Sequence, residues 1–287
     1  MSEKNVRTGL IGGTGLYKIE GMEILERAEV QTPFGPPSAP LTRGKIGGQD
    51  VVFLPRHGEN HSIMPSEINF RANIWALKSW GVRNVISISA TGSLREQIEP
   101  GHLSIPDQYF DWTRGRRAAS FFGGGTVAHI STAQPSSTEL ADWIFAAASA
   151  SGVRVHRRQT YACVEGPRLG TRAESFFLRG AGCDLVGMTN VPEVFLACEA
   201  RLNYCTIAIV TDYDCWQDDP AQHVSVERVI ARYGESLTEV RAVLQSLFES
   251  DYTAACVSRR EPIAPAVLTP RDALTAEQNQ RLEFLDS

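Results

Sequence analysis

The chain has 287 residues, of which 43% are hydrophobic and 21% charged, with 24 glycines and 15 prolines. These proportions are those of ordinary globular proteins and exclude collagen, low-complexity repeats and wholesale disorder. The net charge of -5 disfavours a broad nucleic-acid surface, and no apolar segment approaches the roughly 20 residues of a membrane span, so we predict a cytoplasmic protein without nucleic-acid or membrane partners.

The predicted elements alternate between strands and helices. Short apolar segments typical of strands lie at 8–11, 51–54, 84–89, 160–164, 184–187 and 204–210. Helical patterns lie at 66–80, 137–150, 172–179, 191–201 and 225–248, the first with Ser66 as its N-cap and Gly81 after its end. This alternation predicts an α/β fold: a single domain over residues 1–250, with a mostly parallel twisted central sheet and helices on both faces.

Residues 251–287 are predicted to form a C-terminal tail. Prolines at 262, 265 and 270 indicate an extended connector. A short helix follows, with Thr275 and Gln278 as a capping box and Leu282 and Leu285 as an apolar pair. The tail could dock on its own subunit, dock on a neighbour, or stay disordered.

The cysteines and the basic clusters carry no clear chemistry. The six cysteines, at 163, 183, 198, 205, 215 and 256, include no Cys-x-x-Cys pair and no nearby histidine at zinc-ligand spacing. We predict reduced thiols, most of them small buried residues, and no metal site. The basic clusters at 114–117 and 156–158 are predicted to be solvated loop or strand edges.

The residues that follow the strands are polar or rich in glycine. They are Gly-Gly-Thr-Gly (12–15), Arg-His-Gly (56–58), Ser-Ala-Thr-Gly-Ser (89–93), Glu-Gly-Pro-Arg (165–168), Met-Thr-Asn (188–190) and Thr-Asp-Tyr-Asp (211–214). In an open parallel sheet, ligands bind outside the carboxyl ends of the strands. The six loops are therefore predicted to converge on one crevice.

Several of these loops offer hydrogen-bond donors to an anion. Arg56 provides a guanidinium fork and His57 a ring donor, while the glycine-rich loop offers backbone amides and the Thr14 hydroxyl. Ser89 and Ala90 at one further strand end, and Thr189 at another, add hydroxyl or amide donors. Together these groups predict a pocket for inorganic phosphate. On its own, the glycine-rich loop could be a tight turn without a binding role, and the Arg-His pair could be surface residues.

Two acids follow the last predicted strand. Asp212 and Asp214 are two residues apart in an extended segment, so they point to the same side. They could be ordinary turn acids, or they could recognise a purine at N7 and at the exocyclic 6-position. An acid that keeps its proton in a closed site can protonate N7 as the glycosidic bond breaks. Because a 6-amino group is a donor, two carboxylates favour adenine over a 6-oxopurine.

Nine motifs occur in order between about residues 7 and 248. They are Gly-Gly-Thr-Gly-Leu (12–16), Thr-Pro-Phe-Gly (32–35), Arg-His-Gly (56–58), Asn-Ile-Trp-Ala-Leu-Lys (73–78), Gly-Ser-Leu-Arg-Glu (92–96), Glu-Gly-Pro-Arg (165–168), Arg-Ala-Glu-Ser (172–175), Met-Thr-x-Val-Pro-Glu (188–193) and Thr-Asp-Tyr-Asp-Cys-Trp (211–216). Together they resemble the 5′-methylthioadenosine phosphorylases, a family of the trimeric purine nucleoside phosphorylase superfamily.

The resemblance implies roles for particular residues. Phosphate is expected to bind Thr14, Arg56, His57, Ser89, Ala90 and Thr189. The ribose is expected to pack on Met188, and the adenine to lie at Leu169, Thr211, Asp212 and Asp214, of which the two acids are also catalytic. Leu169 and Gly170 depart from the phenylalanine and serine usual in the family, so an aromatic contact and a hydroxyl near the purine are missing.

The resemblance also implies a homotrimer in which His129 reaches the adjacent subunit's site, although the residues alone favour a surface histidine. At the 5′ end of the substrate, relatives selective for a 5′-hydroxyl have a histidine where this chain has Val226, Val229 and Ile230. An apolar stripe accepts a methylthio group but leaves a buried hydroxyl unpaired. The same three residues could instead be plain helix core.

We therefore predict phosphorolysis of 5′-methylthioadenosine to adenine and 5-methylthioribose 1-phosphate, in methionine and purine salvage. Inorganic phosphate is a co-substrate, and no metal or organic cofactor is expected. The alternatives are a phosphorylase for adenosine or 6-oxopurine nucleosides and a non-catalytic nucleoside-binding protein. A dehydrogenase is disfavoured because the glycines lack G-x-G-x-x-G spacing.

Overall fold

The computed structural model describes residues 7–13, 22–219, 223–250 and 260–287. The strands in these ranges are Arg7–Gly12 (β1), Glu23–Ala28 (β2), Leu41–Ile46 (β3), Gln49–Pro55 (β4), Val82–Ser93 (β5), Leu103–Ile105 (β6), Gln108–Trp112 (β7), Val155–Arg157 (β8), Thr160–Val164 (β9), Leu185–Gly187 (β10) and Asn203–Asp212 (β11). The helices are Phe70–Ser79 (α1), Thr138–Ala150 (α2), Arg172–Gly180 (α3), Asn190–Glu199 (α4), Val226–Glu249 (α5) and Ala276–Asp286 (α6).

All of these strands belong to one sheet. Its main path runs β2-β3-β4-β1-β5-β10-β9-β7, while β11 pairs with β5 and β6, and β6 pairs with β8. Six pairs are parallel and four antiparallel, which confirms a mostly parallel sheet. β5 is its central strand, since it contacts β1, β10 and β11.

Helices cover both faces of the sheet, as predicted. Every residue of β11 is buried, and its side chains alternate between the faces because successive residues of a strand point in opposite directions. Tyr204 and Ala208 pack in the cluster that includes α1, α4 and α6. Cys205 and Ile207 pack with α2 and α5. No helix in the described ranges is long and apolar enough to cross a membrane.

The predicted strands and helices are confirmed, but one helix boundary was wrong and five strands were missed. The first helix begins at Phe70, not after Ser66, because the side chain of Asn69 accepts from the Ala72 amide at 3.2 Å and serves as the N-cap. β2, β3, β6, β7 and β8 were not predicted. Three-residue strands such as β6 and the polar, exposed β2 give too little hydrophobic alternation to be recognised.

Residues 260–287 of the C-terminal tail dock on their own chain, while residues 251–259 lie outside the described residues. The capping box is present at the start of α6: the Thr275 hydroxyl accepts from the Gln278 amide, and the Gln278 side chain accepts from the Thr275 amide. Leu282 and Leu285 are 1% and 0% exposed within the cluster formed with α1 and α4. The apolar pair at i and i+3 therefore faces the body of the protein.

Candidate active site

The carboxyl ends of the strands meet along one edge of the sheet. β1 and β4 run side by side, and the amide of Arg56 donates to the Gly12 carbonyl at 2.9 Å. Across β5 and β11, Gly92 lies opposite Asp212. The edge brings together the loops expected to converge, except that Thr14 lies outside the described residues.

A buried ion pair lies at this edge. Arg56 is 1% exposed, and its Nε and Nη2 donate to the two carboxylate oxygens of Glu193 at 2.8 and 2.9 Å. Nη2 also donates to the Ser87 hydroxyl and Nη1 to the Ile88 carbonyl, at 2.5 and 3.1 Å. Burial disfavours the guanidinium charge, but Glu193 outweighs that effect and raises the pKa of Arg56. The guanidinium fork, which was expected to face phosphate, faces Glu193. Among the described residues, this leaves one Nη1 N–H for an anion.

A polar network extends from Glu193 through the core. Its Oε1 accepts from the hydroxyls of Ser87 and Tyr204 at 2.9 and 2.8 Å. Asn190 Nδ2 lies 2.6 Å from the Tyr204 hydroxyl, and Asn190 Oδ1 accepts from Ser89 at 3.1 Å. Buried polar groups need such partners. The network therefore fixes Ser89 and the start of α4 relative to Arg56.

His57 is a neutral ring at physiological pH. Burial, together with the adjacent Arg56 charge, lowers its pKa to about 4. Its Nδ1 lies 2.9 Å from the Ile63 carbonyl, so Nδ1 carries the proton and donates. Nε2 is then an acceptor, which suits the O–H of a protonated phosphate rather than a bare oxyanion.

Thr189 directly precedes α4, whose backbone leaves the helical conformation at Val191 before the regular helix begins. The residue is 7% exposed, and its side chain makes no capping bond to the helix. Ala90 is half-buried in β5, next to Ser89. The predicted phosphate residues within the described ranges thus lie just after β4, in β5 and just before α4.

Arg117 holds the loops on either side of Met188. Its Nη1 donates to the carbonyls of Met188 and Val191 at 2.8 and 2.6 Å, and its Nε donates to Glu165 at 3.1 Å. The side chain is 2% exposed, so the prediction of a solvated residue was wrong here. The sequence hid this role because the partners are mostly main-chain carbonyls, which every residue possesses.

Asp212 and Asp214 form a buried pair, 5% and 7% exposed. Asp212 Oδ1 accepts from the Asp214 amide, and Oδ2 accepts from the Thr211 hydroxyl, both at 2.7 Å. Burial raises the pKa of Asp212 to about 6 and also raises that of Asp214. The two acids are not ordinary solvated turn acids, and the raised values suit groups that hold or transfer a proton near neutrality.

The backbone at the two acids differs from the predicted extended segment. Asp212 ends β11, but Asp214 has a left-handed backbone with φ of 52°, so the segment is a turn rather than a continued strand. An Asp side chain stabilises such a turn by accepting from the amide two residues on. Gly92 makes room for the turn: a Cβ there would lie 2.9 Å from Asp212 Oδ1 and 3.2 Å from Asp214 Cβ.

A small cleft opens beside Asp214. Its volume is about 110 Å³, and Glu165, Gly170 and Ser175 are among the residues that line it. A Cβ at Gly170 would lie 3.7 and 3.8 Å from the Asp214 carboxylate oxygens, an ordinary contact distance. Gly170 therefore leaves space next to this acid. The neighbouring Leu169 is 36% exposed.

The start of α5 presents an apolar stripe to the surface. Val226 and Ile230 are 59% and 67% exposed, while Val229 is half-buried. The plain helix-core interpretation of Val226 and Ile230 was therefore wrong. His129 is exposed, and its amide donates to the Ala266 carbonyl at 3.0 Å. In the described part of the chain, no hydrogen bond joins His129 to the other predicted site residues.

Comparison with known proteins identifies the family. Residues 7–248 match the family model described as the phosphorylase superfamily. The chain belongs to the phosphorylase superfamily. It is 43% identical over 280 residues to an S-methyl-5′-thioadenosine phosphorylase of Geobacter sulfurreducens, with 96% of each chain covered.

Two solved phosphorylase structures are also similar. One is a methylthioadenosine phosphorylase from an antarctic soil metagenomic library, with a TM-score of 0.87, 38% identity and 98% of each chain covered. The other is a mutant of an adenosine/methylthioadenosine phosphorylase from Schistosoma mansoni in complex with methylthioadenosine. Its TM-score is 0.80 at 37% identity, with 85% of this chain and 91% of that chain covered.

The sequence missed Glu193 as a member of this phosphorylase site. The residue lies in the Met-Thr-x-Val-Pro-Glu motif, in the first turn of α4, where an acid is commonly explained by the helix dipole. A buried arginine directly after β4 needs a counter-charge. That requirement, applied to Arg56, was the available signal for a nearby buried acid.

The raised pKa of Asp212 predicts a pH-dependent stability difference. The folded value of about 6 lies above the ordinary 3.8, so the contribution of Asp212 to stability is present at low pH and is lost as pH rises from about 4 to 6. Asp212→Asn removes the buried charge. We expect the variant to be more stable than wild type at pH 8, by roughly 2–3 kcal/mol, and to show no such gain at pH 4.

Thermal unfolding at both pH values measures this difference. Asp272→Asn is the matched control, because Asp272 is exposed and its substitution should give the same small effect at pH 4 and pH 8. A stability change in Asp212→Asn that is identical at the two pH values would contradict the raised pKa.

Proposed function

We propose that this phosphorylase converts 5′-methylthioadenosine and inorganic phosphate to adenine and 5-methylthioribose 1-phosphate. The observation that carries the proposal is the arrangement of one sheet edge. The Arg56 guanidinium bonds β5 at Ile88, and Asp212 lies opposite Gly92 of the same strand. Arg56 and Asp212 therefore contact the same strand four residues apart, at its carboxyl end.

The proposed reaction is a displacement at C1′ of the sugar. Phosphate, held by the remaining Nη1 N–H of Arg56 and by Thr189, attacks C1′ as the bond between C1′ and the purine breaks. Its negative charge stabilises the cationic character that develops on the sugar. Asp212 supplies the proton for N7, so that adenine leaves as a neutral molecule. The proposal requires no metal or organic cofactor.

Base selectivity follows from the two carboxyl groups. Asp214 or Asp212 can accept a hydrogen bond from the 6-amino group of adenine, whereas a 6-oxo group would face an acceptor. The space left by Gly170 beside Asp214 can hold part of the purine without a hydroxyl contact. Met188 would lie against the ribose, held in place by the Arg117 bond to its carbonyl.

The 5′ end of the substrate would meet the apolar stripe of α5. Val226 and Ile230 offer no hydrogen-bond partner to a 5′-hydroxyl, while a methylthio group can bury apolar surface against them. This favours methylthioadenosine over adenosine. Adenosine is the second candidate, since the similar Schistosoma mansoni protein is named for both substrates.

We also propose a homotrimer in which His129 of one subunit completes the 5′ end of the next subunit's site. Exposure of both His129 and the α5 stripe supports this arrangement. Cysteines 163, 183, 198, 205 and 215 are buried free thiols, which supports a reducing compartment, while Cys256 lies outside the described residues. We propose a cytoplasmic role in purine and methionine salvage.

A base-release assay tests the proposed function. Methylthioadenosine, adenosine and inosine are each incubated with the enzyme, with and without phosphate. We expect phosphate-dependent base release that is fastest from methylthioadenosine, with adenine as the product, and slowest from inosine, with hypoxanthine as the product. Binding without base release would support the non-catalytic alternative, and faster release from inosine would overturn the selectivity argument.

The phosphate role of Arg56 predicts a change confined to phosphate. Arg56→Ala alone would leave Glu193 buried without a counter-charge, which costs about 3–5 kcal/mol and endangers folding. The double variant Arg56→Gln/Glu193→Gln removes both charges and keeps hydrogen-bonding groups. We expect its phosphate KM to rise roughly tenfold or more, as a charged hydrogen bond is worth about 1.5–3 kcal/mol.

Steady-state kinetics at varied phosphate measure this effect. Arg43→Gln/Asp50→Asn is the control, because it removes an ion pair at the opposite end of β4 and should leave the phosphate KM unchanged. Nucleoside binding without phosphate should be unchanged in both variants. Unaltered phosphate saturation in the double variant would show that phosphate binds elsewhere.

The exposed stripe predicts a specificity switch at Val226. Val226→His gives a 5′-hydroxyl a partner and crowds a methylthio group, so the ratio of adenosine to methylthioadenosine turnover should rise at least tenfold, within the roughly 10- to 200-fold range of single pocket contacts. Both activities and the melting temperature are measured. Arg228→His, on the same exposed turn, is the control. Equal loss of both activities with a lowered melting temperature would mean that Val226 acts only in packing.

A further inference from the structure

A glycine-rich loop carries His129. We call residues 123–130 the His129 loop and residues 260–287 the tail. The loop opens with Gly123, Gly124 and Gly125, whose φ angles are 112°, 57° and 102°, values that residues with side chains rarely adopt. Glycine loses more backbone freedom on ordering than any other residue. The loop is therefore poorly suited to hold one conformation unless other elements bind it.

The tail supplies side-chain bonds at the turn of this loop. The Thr269 hydroxyl accepts from the Val127 amide at 2.8 Å and donates to the Gly125 carbonyl at 3.2 Å. Gln278 Nε2 donates to the Gly124 carbonyl at 2.7 Å. Two tail side chains thus satisfy three main-chain groups of the loop.

Main-chain bonds continue the contact up to His129. The Leu268 amide donates to the Val127 carbonyl at 2.8 Å, and the His129 amide donates to the Ala266 carbonyl at 3.0 Å. An antiparallel bridge lies between these bonds. The side chains of Val127 and Leu268 are 48% and 63% exposed. The loop and the tail form one short two-stranded projection, with His129 on it.

The tail itself is firmly anchored. Leu285 is fully buried, and the ring of Phe284 stacks on Trp75 of α1 with 4.0 Å between centroids. Asp286 Oδ1 accepts from the Ile263 amide at 2.8 Å, which closes the tail on itself. The projection is therefore fixed, through the tail, to α1 and the core behind the anion site.

We propose that the tail is a positioning element for the His129 loop, with Thr269 and Gln278 as positioning residues. Neither residue needs to touch substrate. They hold the loop in the conformation in which His129 meets the site of a second copy of this chain. The inference rests on the proposed function, because it assumes that His129 completes a neighbouring site.

Two conservative substitutions test the proposal in the assembled enzyme. Thr269→Val keeps the shape of the side chain and removes both bonds to the loop. Gln278→Glu keeps the acceptor that caps Thr275 and removes the donor to Gly124. Thr269→Ser retains the hydroxyl and should restore wild-type behaviour. Glu277→Gln breaks only an exposed ion pair with Arg281 and serves as the control.

Amide hydrogen exchange is the first measurement. We expect faster exchange at 126–129 in Thr269→Val and Gln278→Glu, with no change elsewhere in the core or in the control. Kinetics are the second measurement: the KM for methylthioadenosine should rise roughly threefold to tenfold, the effect of losing one hydrogen bond, while kcat and the phosphate KM stay unchanged.

The outcomes separate this inference from the proposed function. Unchanged exchange at 126–129, or losses of kcat and of both affinities together with a lowered melting temperature, would overturn the positioning role. His129→Ala is measured in parallel. If it raises the KM for methylthioadenosine but Thr269→Val does not, only the role of the tail is wrong. If His129→Ala has no effect, the proposed role of His129 is wrong and the inference is overturned with it.

Discussion

The buried ion pair of Arg56 and Glu193 is the interaction on which the arrangement of the site depends. A guanidinium that is 1% exposed is tolerated only with a counter-charge and satisfied donors. Glu193 supplies the charge from α4, and Ser87 and the Ile88 carbonyl supply acceptors from β5. Three elements far apart in sequence are thereby locked together. An anion at this edge meets a neutralised pair and not an isolated cation, which suits the proposed phosphate, because that phosphate must leave again as part of a product.

Burial changes the protonation of the two acids at the other end of the site. Asp212 and Asp214 have no basic side chain among their hydrogen-bond partners within the described residues, so desolvation raises the pKa of both acids. The same sheet edge thus keeps Arg56 charged and favours protonated acids. Glu193 offsets the effect of burial on Arg56, whereas the two acids have no such counter-charge within the described residues. This separation allows one crevice to bind an anion and provide a proton.

The sequence predicted the loops at the strand ends, but it did not reveal the buried contacts that support them. The apolar segments at β1, β4, β5, β9, β10 and β11 placed the loops correctly, since hydrophobic runs report buried strands directly. The partners of Arg56 and Arg117 could not be read in the same way. Glu193 is 137 residues away from Arg56 in the chain, and Arg117 binds mostly carbonyl groups. Contacts of this kind depend on tertiary packing and leave no local pattern.

The sequence also did not predict which way several side chains point. Arg56 was expected to turn its fork towards phosphate, and the structure turns it to Glu193. His57 was expected to donate a hydrogen bond to phosphate, but its Nδ1 N–H donates to the Ile63 carbonyl instead. Asp214 was expected in an extended segment, and its backbone is left-handed. In each case one neighbouring group, remote or unremarkable in sequence, decides which atoms face the crevice.

Gly92 shows where this site is least able to change. The position carries no functional group, yet a methyl group there would meet Asp212 Oδ1 at 2.9 Å, Asp214 Cβ at 3.2 Å and the Val186 side chain at 3.2 Å. Any residue other than glycine would have to displace a carboxyl group or open the junction of β5, β10 and β11. Attempts to redesign the base specificity of this enzyme can therefore vary the acids themselves, but they must treat the empty space at Gly92 as a fixed part of the pocket.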